Sequence, residues 1–587
     1  MTKPKYLLPE DPRILLSSIF GPYAQDDSYG SRKCNPMELY QNQVTRMQGP
    51  FSLRMFHRSC GLMLIQANIS AKCALLDFPD LERFIKEISE NEYDIIGISG
   101  IYSNLLKVRK MCELIREYQP DAQIVIGGHI ASVTDLDKML DADHIVRGDG
   151  VRWFREFLGD DPDAPINHPV ITSGIATRTL GLDVFRKPGD VAAMLIPSVG
   201  CPMGCSFCST SAMFGGKGKC INFYETGDEL FDILCQLEDE LKVNDFFVMD
   251  ENFLMNKNRA LRLLELMEKN GKPWAFYIFA SANILRLYSM DQLVRFGISW
   301  VWIGLESEDS NFAKLNGIDV KELVSDMQSH GIRVLGSSII GMEHHTPKNM
   351  DRVIDYAVSY DADFHQFMLY TALPGTPDFI EFEKRGIMKD DIEGISSDSH
   401  GQHEFNYHHP HIKNGEENAF LLDAFTRDFE TNGPSLARMV KTLLKGWQKY
   451  KNDPDPRVRK RFQWEVRNFR FLYSTVIGGI RLYYKDNPAM RSKMEKIQNM
   501  MQAEFGILSR LAAEIGGRFL VTKIRREEKE LENGKVYGPP TFYERNFGAV
   551  ENGVSICKSV ASRVSSALDD VNLPHKKVLK KAAAKQG

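Results

Sequence analysis

The sequence predicts an α/β chain in three parts. A doubly wound parallel sheet comes first, a second series of parallel strands and helices fills the centre, and the C-terminal region is mainly α-helical. Three observations predict this. Before about residue 160, apolar runs ending in glycine alternate with amphipathic helical segments. Between about 190 and 385, further apolar runs each end in a cluster of polar residues. Beyond residue 416 the apolar spacing is helical. The chain has 587 residues, 43% hydrophobic and 26% charged, which suits about three or four domains with large cores. The expected divisions are 1–160, a linker over 161–190, 191–395, 396–570 and a basic tail over 571–587.

In the first part, Arg13 to Gly21 reads as a buried strand and Ser52 to Ala67 as a helix. Strands follow at Cys73–Asp77, Tyr93–Ser99, Gln123–Gly128 and His144–Arg147. Helices lie between them at Leu81–Glu90, Asn104–Tyr118 and Val133–Leu140. Gly100, Gly127, Gly128, Gly148 and Gly150 stand at strand ends, where sheets of this kind bind ligands. Lacking side chains, they let a bulky ligand approach the backbone. Asp160-Asp-Pro-Asp-Ala-Pro165 opens the linker.

The central strands are Ala192–Pro197, Asp245–Asp250, Trp274–Ala280, Trp300–Leu305, Arg333–Ile340 and Phe364–Tyr370. Their polar ends are the cysteine loop, Asp250-Glu-Asn-Phe253, Ser281-Ala-Asn283, Glu306-Ser307, Gly341-Met-Glu343 and Pro374-Gly-Thr-Pro377. Barrel enzymes build their sites at such ends. Glu416 to Tyr450, Pro456 to Tyr484 and Met490 to Glu514 read as amphipathic helices. In the second, Arg457, Arg461, Arg467 and Arg470 are interleaved with Phe462, Trp464, Phe469 and Phe471. Packing on the barrel is preferred for it; a peripheral membrane surface or an anionic substrate is the alternative. Five histidines fall between His400 and His411, more simply a loop than a metal site.

Net charge is −5, so the chain as a whole is not a nucleic-acid binder. No signal peptide or membrane-length apolar stretch is read, and the ten cysteines are too scattered for a disulfide framework. A cytoplasmic location is expected, with the inner membrane face as an option.

The most specific stretch is Ser198-Val-Gly-Cys-Pro-Met-Gly-Cys-Ser-Phe-Cys-Ser209. Cys201, Cys205 and Cys208 follow C-x3-C-x2-C. A cubane cluster takes one cysteine per iron, so three leave one iron open to chelate a small molecule. A zinc site would want a fourth ligand and paired spacings; no second pair stands nearby, although Cys220 lies a short way downstream. With Phe207 before the last cysteine, the stretch resembles the radical S-adenosylmethionine (SAM) family. That resemblance implies a [4Fe-4S] cluster on the three cysteines and SAM chelated by the open iron. An electron from the reduced cluster then cleaves SAM to a 5′-deoxyadenosyl radical. It implies a partial (β/α)6 barrel over about 190–385. It also implies SAM contacts from Phe207, Asp250, Glu251, Asn252, Ser281, Glu306, Ser307 and Gly341. For any one carboxylate, a helix cap or surface ion pair is an equal reading.

The preceding sheet, with Gly127-Gly-His-Ile-Ala-Ser132 and Arg147-Gly-Asp-Gly150, resembles the Rossmann-like cobalamin-binding domain found before many radical SAM domains. The resemblance implies cobalamin contacts from Ser99, Gly100, Tyr102, Gly127, Gly128, His129, Gly148 and Gly150. The D-x-H-x-x-G motif whose histidine ligates cobalt is absent, so the lower cobalt ligand is not assigned. Together the two resemblances imply a cobalamin-dependent radical SAM enzyme that methylates an unactivated carbon of a small-molecule, natural-product or lipid-like substrate. A reductant such as flavodoxin or ferredoxin would serve it. The alternatives are a ring-forming enzyme like the anaerobic tetrapyrrole cyclase, or a non-catalytic cobalamin-binding sensor. No residue is assigned as catalytic.

Overall fold

The computed structural model describes residues 8–533, apart from 22–42, 55–56, 173–177, 180–181, 184–191, 309–311, 313, 316, 390–399 and 414, together with 542–546. The expected basic tail lies outside the described residues.

The N-terminal sheet contains β1 (Arg13–Ser18), β2 (Lys72–Asp77), β3 (Ile95–Ser99), β4 (Gln123–Gly127) and β5 (His144–Ile145), all parallel, in the order β2-β1-β3-β4-β5. Ile14 stands opposite Cys73 on one side and Ile95 on the other. Ile14, Leu15 and Leu16 are all fully buried, because helices cover both faces of a parallel sheet. The strand order reverses at β1, and the crevice at its carboxyl end is where such folds take ligands.

The central sheet contains β6 (Ala193–Leu195), β7 (Asp245–Val248), β8 (Ala275–Phe279), β9 (Ile298–Glu306), β10 (Arg333–Ile340) and β11 (Phe364–Leu369). They are parallel and lie side by side in chain order, six strands with helices between. Outward residues such as Phe246, Phe276 and Val301 pack under the helices. Alternate residues point the other way, as strand geometry requires. Tyr277, Trp300 and Phe364 form a lower aromatic layer, with Trp300 and Phe364 stacked at 4.8 Å. Above it Phe279 stacks on Trp302 at 5.0 Å.

The C-terminal helices cap the amino ends of these strands. Trp464 donates its indole N–H to Asp245 at 2.7 Å, at the start of β7. Arg333, the first residue of β10, pairs with Glu465 at 2.7 Å. Arg457, Arg461, Phe462 and Phe469 are buried, so the basic and aromatic segment packs on the barrel floor. This removes the sequence-based ground for a lipid-like substrate at that helix. It also divides residues 400–533. The helices floor the barrel, whereas Phe405 and Tyr407 return to its opposite end beside Gly341.

Several expected elements are shorter or broken. The helix expected over Ser52 to Ala67 is a short strand, Leu53–Arg54, and a helix, Cys60–Gln66. Thr45 Oγ1 accepts from the Leu53 N–H, which holds that segment extended. Asp135 takes a left-handed conformation, so the next helix covers only Leu136–Met139. Glu416 to Tyr450 is two helices, Glu416–Asn432 and Ser435–Tyr450, broken at Gly433-Pro434. Pro456–Glu465 is separated from Ser474–Tyr483 by a π-helical turn at Phe469–Tyr473. Pro488–Phe505 stops at Gly506, and a further helix runs on to Glu532. The region is also not wholly helical. β12 (Phe542–Asn546) pairs antiparallel with β2, Phe542 opposite Asp77, and extends the N-terminal sheet. Among the described residues no helix is long and apolar enough to cross a membrane.

Burial makes the fold acid-sensitive. His168, which accepts from the Ile196 N–H at 3.0 Å, is pushed down to about 4 by desolvation. His365, hydrogen-bonded to Ser338 at 2.9 Å, and His400 are pushed down to about 4 for the same reason. Below about pH 6.5 the unfolded chain binds protons that the folded chain refuses, so stability falls as pH falls from there to about 4. Each histidine contributes up to about 1.4 kcal/mol per pH unit across that window. Denaturant melts at pH 7.5 and pH 5.5 should show a clear loss, and His365→Gln should flatten the slope. A pH-independent midpoint would contradict this.

Candidate functional site

The cysteine loop leaves β6 and is pinned before it bends. Ser198 is hydrogen-bonded to Asp250 at the end of β7. Asp250 also accepts from the buried Arg259 at 3.0 Å and from the Asn252 N–H at 2.9 Å. Arg259 in turn donates to the Tyr224 carbonyl at 3.0 Å. Both Asp250 oxygens are therefore engaged, and the carboxylate fixes where the loop begins. Ser211 Oγ donates to the Cys201 carbonyl at 2.7 Å and holds the two ends of the loop together. The glycine-rich stretch at 214–219 packs under it: the Gly218 N–H donates to the Pro202 carbonyl at 2.9 Å.

Cys201, Cys205 and Cys208 are all half-buried and none is in a disulfide. Burial pushes Cys201 up to about 11, and the other two sulfurs raise it further. Metal binding displaces such protons. Among the described residues no three His, Cys, Asp or Glu side chains converge closely enough for a single ion. A cubane spreads its cysteines over separate irons, and three half-exposed sulfurs on one loop fit it.

Around this loop the strand ends supply polar atoms. Glu251 Oε2 is buried with no hydrogen-bond partner, and desolvation raises the carboxyl to about 7. Asn283 Oδ1 is likewise buried and unpartnered. SAM presents an ammonium and a ribose diol, so two orphaned acceptors fit that ligand. Asn252 and Ser281 bond reciprocally, at 2.9 Å and 3.1 Å, and tie the ends of β7 and β8 together. Ser307 shares a hydrogen bond with the buried His345 at 3.1 Å. Gly341 has φ +80°, and a Cβ there would stand 2.3 Å from the Phe405 ring. The glycine therefore serves the seating of Phe405 as well as any ligand.

Lys314 is the residue that sequence reasoning missed. It forms an ion pair with Glu306, whose φ of +57° is unusual for a glutamate. Its ammonium lies 5.5 Å from the Phe207 ring centroid and 6.0 Å from that of Phe312. It also draws the Cys205 thiol down against the effect of burial. A lone lysine in a polar loop carries no pattern, so no signal could have found it. The strand interior was missed as well. Trp302 donates to Ser337 at 2.7 Å, Ser337 to Gln366 at 2.7 Å, and Gln366 to Gln43 at 3.0 Å. This polar chain runs beside the Phe279–Trp302 stack.

The N-terminal sheet meets the loop directly. His129 Nε2 is 3.3 Å from Thr210 Oγ1, two residues beyond Cys208. Gly375 contacts Ser132, and the Asp378 N–H donates to the Ser206 carbonyl at 3.2 Å. Gly128, at φ +81°, lets its chain lie against Gly100; a Cβ would sit 2.6 Å from the Gly100 carbonyl oxygen. Gly127 faces open space and Gly148 lies near the Met213 carbonyl. Ser99, Gly100, Gly127, Gly128, His129 and Gly148 are thus at the strand ends. Tyr102 is buried beneath them, and Gly150 packs against Ile65. Of these glycines Gly127 alone has open space where a Cβ would stand, so the ledge facing the cysteine loop is open to a ligand at that point.

A parallel sheet with a ligand ledge, docked on a six-stranded barrel whose first loop carries three cysteines, defines a two-cofactor protein. The chain matches the B12 binding domain over residues 55–158 and the Radical SAM superfamily over residues 195–357. A B12-binding match followed by a Radical SAM match is the order that the sequence resemblances lead one to expect. It is similar to an uncharacterized methyltransferase of Pyrococcus horikoshii, 23% identical over 333 residues, 51% of this chain and 71% of that protein. Bacteriochlorophyllide d C-12(1)-methyltransferase of Chlorobaculum tepidum is 30% identical over 200 residues, 32% of this chain and 42% of that one. Hopanoid C-2 methylase of Rhodopseudomonas palustris is 22% identical over 315 residues, 50% of this chain and 58% of that one.

Proposed function

We propose that this enzyme transfers a methyl group to an unactivated carbon of a small molecule bound within the barrel. The observation that carries the reading is the docking of the glycine ledge on the cysteine loop, through His129 and Thr210. In this reading the contact sets the two cofactor sites side by side. Methyl transfer is favoured over ring formation by the relatives described above, whose names specify methylation.

In this reading Cys201, Cys205 and Cys208 hold the [4Fe-4S] cluster, and Glu251, with Asn283, receives the donors of SAM. When bound, the cluster and SAM supply a radical that removes hydrogen from carbon, and cobalamin supplies the methyl group. The chain's own work is positioning. Asp250, Arg259 and Ser198 fix the start of the cysteine loop. Asn252 and Ser281 fix the neighbouring strand ends. Lys314 neutralises Glu306 beside the sulfurs. The Phe279–Trp302 stack offers a flat apolar wall, and Ser337 and Gln366 beside it offer hydrogen bonds that orient a substrate. A reduced cluster needs a reducing compartment, so we infer the cytoplasm and a reductant such as flavodoxin or ferredoxin.

The test is anaerobic reconstitution with iron, sulfide and cobalamin, then incubation with SAM and a reductant. Both 5′-deoxyadenosine and S-adenosylhomocysteine should form, and both should be lost in Cys205→Ala. Deoxyadenosine without S-adenosylhomocysteine would move the reading to ring formation.

A further inference from the structure

The described residues expose ten large hydrophobic side chains, and six of them lie within one short part of the chain. These are Phe471, Ile507, Leu508, Leu511, Ile515 and Phe519, from 47% to 66% exposed. Leu508, Leu511, Ile515 and Phe519 recur at helical spacing, so they form one stripe. Scattered apolar residues on a surface need no explanation, but a contiguous row does.

The stripe is held rigidly. The opposite side of its helix packs on Ser474–Tyr483 at very close range. A Cβ on Gly478 would stand 2.1 Å from the Ala513 carbonyl oxygen, and one on Gly517 would stand 2.8 Å from Gly478. Two π-helical turns, Phe469–Tyr473 and Ala512–Gly516, pack against each other here and bring Phe471 to the same region. The inner face is thus satisfied, and the apolar outer face is presented to something else.

Charge identifies the occupant. Residues 507–526, which carry the stripe, contain five Lys and Arg against one Glu, and Glu527, Glu528, Glu530 and Glu532 follow only in the last turns beyond it. Arg518, Lys523, Arg525 and Arg526 are exposed along the same helix. The Lys523 ammonium lies 4.8 Å from the Phe519 ring centroid. An apolar stripe bordered by cations matches the interface of an anionic bilayer: side chains enter the acyl boundary and cations meet lipid phosphates.

We propose that the helix from Ile507 to Glu532, with Phe471, is a docking surface for an anionic lipid bilayer. It lies on the helical layer that caps the barrel floor, so docking leaves the cysteine loop free. The proposal stands independently of the methyl-transfer reading.

Flotation of the full chain with vesicles tests it. Vesicles of phosphatidylglycerol and phosphatidylcholine are compared with phosphatidylcholine alone, at low and high salt. The chain should float with the anionic vesicles and lose most binding at high salt. The exposed pair Ile515→Glu with Phe519→Glu should weaken partitioning on the order of a hundredfold, since each side chain removed from the interface is worth about tenfold or more. Arg525→Glu with Arg526→Glu should weaken it only for the anionic vesicles. Circular dichroism should show both variants folded. Equal flotation of wild type and the Ile515/Phe519 variant would overturn the proposal. So would no flotation of the wild type, including the case where sedimentation shows a dimer that the same variant dissociates, which would assign the stripe to a second copy.

Discussion

Glu465→Ala will lower stability by about 3–5 kcal/mol, the usual loss when one partner of a buried ion pair is removed. Glu465 sits between two buried arginines on the barrel floor. One of its oxygens pairs with Arg333 at 2.7 Å, and the other lies 3.7 Å from Arg461. All three side chains are less than a tenth exposed. Ser299 bonds to both Glu465 and Arg333, and Arg333 also donates to the Ser299 carbonyl at 3.1 Å. Removing the carboxylate leaves two guanidinium groups buried without their counterion. A lower melting temperature, by several degrees, is the readout. Replacing the set with apolar residues (Arg333→Met, Glu465→Leu, Arg461→Met) should cost much less, because no unpaired charge remains. Deoxyadenosine formed per folded molecule should not change, because the network lies at the end of the barrel opposite the cysteines. A melt for Glu465→Ala within a degree of the parent would contradict this account.

Lys314→Met will lower SAM affinity at least tenfold and make the cluster harder to reduce. The variant leaves Glu306 buried and unpaired, and removes the cation that acts on Cys205. A unit charge a few ångströms away in a site of intermediate polarity is worth a few kcal/mol. Even about 1.4 kcal/mol of that moves a one-electron potential by about 60 mV. The direction is negative, since a positive neighbour stabilises the reduced, more anionic state. Lys314→Arg should restore most of the potential. Equilibrium dialysis with SAM and a potentiometric titration read the two effects separately. An unchanged potential in Lys314→Met would assign the lysine to packing against Phe207 and Phe312 alone.

Much of this architecture was legible in the sequence because it is local. Apolar runs bounded by glycine or polar clusters located all eleven parallel strands to within a few residues, and the cysteine spacing located the loop. Short-range chemistry leaves short-range patterns. What was not legible depends on long-range pairing. β12 joins β2 across more than four hundred residues, and nothing in Phe542–Asn546 announces that partner. Arg259 turns Asp250 from an apparent ligand into a structural pin, yet an arginine at a helix start looks like any solvated one. The segment at 457–470 was expected to pack on the barrel, but with its arginines solvated, because arginine usually is. Arg457 and Arg461 are instead buried, and only the fold brings Arg333 to Glu465 beside Arg461 on the barrel floor. The exposed stripe at 508–519 was hidden by the same logic, since amphipathic spacing does not say which face is covered.

The most direct test of the central claim, a cluster on Cys201, Cys205 and Cys208 with one iron open to SAM, is electron paramagnetic resonance of the reconstituted, reduced protein with and without SAM. The account requires about four irons per chain, a signal that changes on adding SAM, and no signal in Cys205→Ala. A fully loaded cluster whose spectrum is indifferent to SAM would contradict it, as would a loop that retains one zinc and no iron.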